Sequence, residues 1–127
     1  MASGTFVTAI NCMDGRVIIP VIQWMKDQYQ VDYVDMITEA GPDKVLSQGT
    51  TVQIESIKNR VLVSVEKHHS KIIAIVGHHD CAGNPVTREV HHQQIINCCE
   101  IVKTWGLAAQ IIGIWLNDKW EIELIDS

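Results

Sequence analysis

The sequence predicts a three-layer α/β/α domain with a mostly parallel central sheet and an antiparallel strand at its C-terminal edge. Three observations carry that prediction. Short β-branched, aliphatic runs alternate with longer segments at helical spacing, in the order β-α-β-α-β-α-β-β. The run KIIAIVG (71–77) is apolar on both faces, as suits a central parallel strand covered by helices. The closing KWEIELI (119–125) instead alternates Trp120, Ile122 and Leu124 with Glu121 and Glu123, the pattern of a strand with one face in water. At 127 residues the chain is read as one domain, 1–127.

The elements follow in order. TFVTAIN (5–11) is a buried strand by its β-branched content. Val17, Ile18, Val21, Ile22 and Met25 then mark a helix, with Pro20 placed in its first turn, where a missing N–H costs little. VDYVDMIT (31–38) is a second strand, closed by Gly41–Pro42. Val52, Ile54, Ile57, Val61 and Val65 predict one helix over 46–69. After the central strand, Ile95, Cys98, Cys99 and Val102 line a helix over 86–105, which Gly106 ends. AAQIIGIWL (108–116) is a further strand, and Asn117–Asp118 turn the chain into the last one.

Composition excludes several functions. The net charge of −5 and the scattered Lys and Arg argue against nucleic acid or an anionic membrane as partner. No apolar run approaches the roughly 20 residues of a membrane span, and the N-terminus lacks a basic segment before its first strand. A cytoplasmic protein is expected, with its four cysteines as free thiols or ligands rather than disulfides. Arg16 follows Cys12 by four residues, whereas a cysteine-phosphatase loop needs six and has Ile18 there, so that class fails. No glycine-rich nucleotide loop is present.

Two stretches concentrate chemistry. NCMDGR (11–16) follows the first strand, and VGHHDC (76–81) runs off the third. In an open α/β sheet both fall beyond the carboxyl ends of strands, where ligands bind. Cys12, His78 and Cys81 form a potential Cys₂His set, which leaves one tetrahedral position open, and thiolate with imidazole favours zinc. Asp14 and Arg16 are placed to form a bidentate ion pair beside it. That pair keeps the carboxylate ionised and oriented to accept a hydrogen bond from water, and off the metal. Asp80 is expected to orient a ligand or the arginine. Cys98 and Cys99, adjacent on a helix, are assigned to core packing. His68–His69 are assigned to a helix end, His91–His92 to surface or helix packing near the site mouth, and the four tryptophans to core or interface.

In order, spacing and strand context, CMDGR (Cys12, Asp14, Arg16) and GHHDC (His78, Cys81) resemble the signature of the β-class carbonic anhydrases. ITEAGPD (37–43) falls where that family carries an Ala-Gly loop. The resemblance implies a zinc enzyme that interconverts carbon dioxide and bicarbonate, zinc ligands Cys12, His78 and Cys81, a catalytic Asp14–Arg16 pair, and a homodimer or larger homo-oligomer. His79 is a candidate proton shuttle. Departures are Gly15 for the family's usual Ser, Thr38–Glu39 for Arg-Asn, His79 for Thr, and a start at the first strand without N-terminal helices, which predicts a reduced pocket. The alternatives are a non-catalytic zinc-binding module, or hydrolysis of a related linear molecule such as carbonyl sulfide or carbon disulfide.

Overall fold

The computed structural model describes residues 3–125; the ends of the expected domain, 1–2 and 126–127, lie outside the described residues. Five strands form one sheet in the order β2-β1-β3-β4-β5. They are β1 (Phe6–Cys12), β2 (Tyr33–Glu39), β3 (Ile72–His78), β4 (Gln110–Leu116) and β5 (Ile122–Ile125). The first four are parallel, and β5 returns antiparallel along β4. The helices are α1 (Gly15–Tyr29), α2 (Pro42–Gln48), α3 (Thr51–Leu62) and α4 (Arg88–Lys103), with a π-helical turn at Val63–Lys67. The predicted fold class is the observed one. No described helix is long and apolar enough to cross a membrane.

Strand alternation sorts the core into two halves. Val7 and Ala9 of β1, with Ala74 and Val76 of β3, pack under Val17, Val21 and Met25 of α1. Ile10, Ile73 and Ile75 face the other way, against Leu46, Ile57, Val61, Ile95, Cys98 and Val102 of α2, α3 and α4. Strand β1 therefore lies between β2 and β3 with helices on both faces. The chain reverses its direction of travel across the sheet between β1 and β3, the point where such folds open a crevice at their carboxyl ends. Cys12 and His78 are the last residues of those two strands.

Four expectations shift, each for a local reason. The helix expected over 46–69 is two helices and a π-helical turn. It breaks at Gly49–Thr50, where the Thr50 hydroxyl accepts from Gln53 N–H and the Gln53 side chain accepts from Thr50 N–H. That capping box is legible as T-x-x-Q and outweighs the continuous apolar spacing. Helix α1 starts earlier than its apolar residues suggest, because the Asp14 side chain caps Arg16 N–H. Pro20 thus sits in the second turn, where its ring removes a bond to the Arg16 carbonyl. Strands β1 and β3 run one residue further than predicted, so Cys12 and His78 belong to the sheet rather than to the loops after it. Finally, β5 begins at Ile122, leaving Trp120 in the turn with φ of 60°.

Candidate metal centre

Strand β1 delivers Cys12, strand β3 delivers His78, and the loop after β3 brings Cys81 back over both. The ligand atoms of the three side chains all lie within 4.8 Å of one another, and all three residues are buried. The two sulfurs stand 3.9 Å apart, far beyond the roughly 2.05 Å of a disulfide. Two thiolates ~2.3 Å from a shared tetrahedral ion stand about 3.8 Å apart, so the spacing suits one.

The histidine supplies the second test of fit. Its Nδ1 lies 2.7 Å from the His79 carbonyl oxygen. A carbonyl only accepts, so Nδ1 carries the proton and Nε2 presents its lone pair. That Nε2 is buried without a hydrogen-bond partner, a costly arrangement for a nitrogen unless something takes the lone pair. A divalent cation does. The donor set, two thiols and one imidazole nitrogen with a fixed tautomer, fits zinc.

One of the two sulfurs is already poised to carry charge. The Cys81 thiol beside Cys12 holds the Cys12 thiol far below its usual range, at about 4, against the opposing effect of burial. The neighbouring His78 imidazole adds to the effect, and the backbone N–H groups of Gly41 and Asp14 add further. Cys81 is pushed up by the same neighbour, since the pair shares one negative charge. The supporting loops pack backbone to backbone. A Cβ on Gly41, whose φ is 65°, would lie 2.9 Å from the Gly83 carbonyl carbon and oxygen, so only glycine fits where the loop after β2 meets the loop carrying Cys81.

Beside the cluster, Asp14 and Arg16 form the expected bidentate pair. Arg16 Nη2 and Nε donate to the two carboxylate oxygens at 2.7 and 3.0 Å. These bonds hold Asp14 down at about 2 and push the guanidinium upward. On its other side Arg16 donates to the Asp80 carboxylate at 3.2 Å and the Asp80 carbonyl at 3.0 Å. Asp80 thus orients the arginine, as expected. His79 is exposed beside the cluster, and Cys98 and Cys99 are core residues, also as expected.

Two features go beyond the sequence reading: the polar network around His91, which the sequence leaves between surface and helix packing, and the ring over Arg16. His91 is not at the surface: it is 2% exposed, and its Nδ1 lies 2.5 Å from Asp43 Oδ2. The Asn84 amide donates to Asp43 Oδ1 and to Gln94 Oε1 at 3.0 and 2.7 Å. This buried polar network ties the Cys81 loop to α2 and α4 from behind. The helical spacing of His91 from Ile95, Cys98 and Val102 favours the helix-packing alternative, which is the one observed. The second feature is Trp120, whose ring centroid lies 4.5 Å from the Arg16 guanidinium carbon.

A family model described as "Putative carbonic anhydrase" matches residues 2–126. No curated protein matches the chain by sequence. Among solved structures, a carbonic anhydrase from Glaciozyma antarctica is similar with a TM-score of 0.61 at 15% identity, over 94% of this chain and 81% of that one. The β-carbonic anhydrase isoform I of the protozoan Trichomonas vaginalis is similar with a TM-score of 0.58 at 18% identity, over 93% and 81% of the two chains. A β-carbonic anhydrase of the fungus Aspergillus fumigatus gives 0.56 at 15% identity, over 94% and 74%. At these identities the likeness shows a shared fold.

Proposed function

The chain belongs to the "Putative carbonic anhydrase" family, and from that premise we propose that it catalyses the reversible hydration of carbon dioxide to bicarbonate. The observation that carries the reading is the meeting of Cys12, His78 and Cys81 around an unpartnered imidazole nitrogen, with the Asp14–Arg16 pair beside them. Cys12, His78 and Cys81 would hold zinc. Bound zinc supplies a Lewis acid that brings the pKa of water towards about 7.

The chain's own residues do the rest. The His79 carbonyl fixes the His78 tautomer. Arg16 keeps Asp14 ionised at every pH above its own low value, so the carboxylate accepts a hydrogen bond from the reacting water and never donates one. Accepting that bond turns a lone pair of the water towards the substrate, which is orientation rather than proton abstraction. Asp80 holds Arg16 from the far side, which keeps Asp14 out of the ligand set. His79, exposed and next to a ligand, is our candidate for passing the released proton to solvent.

The test pairs zinc content per chain with stopped-flow carbon dioxide hydration. Wild type should hold close to one zinc and turn over. Asp14→Asn should keep its zinc and lose turnover by about a hundredfold, since positioning of the nucleophile carries a large share of such a barrier. Zinc without turnover in the wild type would make the chain a binding module instead.

A further inference from the structure

Four described residues other than glycine have positive φ: Gln30, His69, Asp80 and Trp120. Gln30 caps the C-terminus of α1 and His69 follows the cap of the π-helical turn, where left-handed backbone is ordinary. The other two, Asp80 and Trp120, both grip Arg16. Aspartate tolerates the left-handed region; a bulky side chain does so only at a cost.

The turn explains where Trp120 sits but not why it is tryptophan. Trp120 N–H donates to the Asn117 carbonyl at 2.9 Å, and Asn117 N–H donates to the Glu121 carbonyl at 3.0 Å. The Asn117 side chain accepts from Lys119 and Glu121 N–H and locks the loop. This is a three-residue hairpin turn ending in a bulge, whose left-handed position is normally glycine. A tryptophan placed there against backbone preference points to work done by its side chain. That side chain lies over the Arg16 guanidinium at 4.5 Å, with its ring 6.0 Å from that of His78 and 6.5 Å from that of His79. The edges of Arg16 are taken by Asp14 and Asp80, and Trp120 takes a face.

We propose that Trp120 is a positioning residue: the β4–β5 turn clamps its indole onto Arg16, fixing the guanidinium plane and through it the Asp14 carboxylate beside the Cys12–His78–Cys81 cluster. The ring also walls that side of the site with apolar surface, which suits a small uncharged substrate. The link to carbon dioxide rests on the function proposed above; the clamp itself does not.

The experiment measures how fast an arginine-specific dicarbonyl reagent modifies Arg16, read by peptide mass spectrometry, with Arg60 and Arg88 of the same chain as internal references. Trp120→Gly relieves the backbone and removes the ring. Trp120→Asn also tolerates the left-handed conformation and serves if the glycine variant fails to fold. Trp120→Phe keeps a ring. The glycine and asparagine variants should modify at Arg16 about fivefold faster, the factor that an ordinary cation–π contact represents. Arg60 and Arg88 should not change, and phenylalanine should fall between. An unchanged Arg16 rate in the ring-less variants overturns the clamp.

Zinc-loaded variants are then assayed for carbon dioxide hydration, where kcat should fall about tenfold with KM little altered. A released Arg16 with undiminished kcat overturns the claim that the clamp serves the reaction. A wild type with no turnover overturns the proposed function instead, while the modification rates still decide the clamp.

Discussion

Cys12 and Cys81 pack on the α1 side of the sheet, Cys98 and Cys99 on the opposite side, and all four are buried, at 4% exposure or less. Cys12 differs from the other three: its thiol is held low, while its neighbour Cys81 and both helix cysteines are pushed up. Cys12 is surrounded by groups that favour its thiolate: the Cys81 thiol, the His78 imidazole and the N–H groups of Gly41 and Asp14. Cys98 is pushed up by burial, with the charge of Asp43 nearby adding to the effect, and burial lifts Cys99 to about 11. Burial alone therefore does not decide whether a cysteine thiol is held low or pushed up. The supply of donors decides it, and strand ends supply donors while helix faces, whose N–H groups are already spent, do not.

The sharpest way to break this comparison is metal content. Cys81→Ser should drop zinc from close to one per chain to a trace, while Cys98→Ser should retain it. Elemental analysis of the two purified variants decides the matter. Equal loss in both would mean that the two pairs are not chemically distinct.

Alkylation sharpens it next, through pH. Only a thiolate attacks iodoacetamide. With a pKa of about 4, Cys12 of metal-free protein is already deprotonated at pH 5, so its rate should stay nearly flat from pH 5 to 9. Cys99, at about 11, should remain slow and gain roughly tenfold per pH unit over that range, because its thiolate fraction does. Peptide-resolved mass spectrometry after a short pulse gives both slopes. Added zinc should suppress the Cys12 rate and leave Cys99 alone.

A third effect lies in the network behind the metal loop. His91→Ala leaves the Asp43 carboxylate buried without its 2.5 Å partner, and should cost about 3 kcal/mol in denaturant unfolding. Zinc content in the folded fraction should be unchanged. Loss of metal at equal stability would instead place Asp43 and His91 in control of the Cys81 loop.

How much of this was legible in the sequence differs between the same two regions. The meeting of Cys12, His78 and Cys81, with Asp14 paired to Arg16, was legible because two ligand-rich stretches at strand ends face one crevice, which outweighed the blander readings of a core thiol, a structural ion pair and a loop cap. Cys98 and Cys99 were read correctly from helical spacing. The sequence leaves His91 between surface and helix packing, and it packs; its Asp43 partner on another helix makes no mark in the periodicity. Trp120 was placed in a strand by its alternation with Ile122 and Leu124. The left-handed turn that removes it depends on Asn117 side-chain bonds across the hairpin, which no periodicity records. The break at Gly49–Thr50 was written in the sequence but outvoted by apolar spacing.

The smallest expected effect tests whether the helix-side cysteines are more than filler. Cys99 adjoins Gly113 of β4, where an added Cβ would already lie 3.6 Å from its sulfur. Removing that sulfur in Cys99→Ala opens only a small cavity, so a loss of about 1 kcal/mol is expected in denaturant unfolding. Cys98→Ala additionally removes the thiol that donates to the Asp43 carbonyl at 3.2 Å. Its cost should exceed that of Cys99→Ala by a few tenths of a kcal/mol, because that carbonyl accepts on the same residue that anchors His91. If the two variants cost the same, the Cys98 thiol contributes packing alone. The helix-side sulfurs would then serve only as volume, in contrast to the charge held at Cys12.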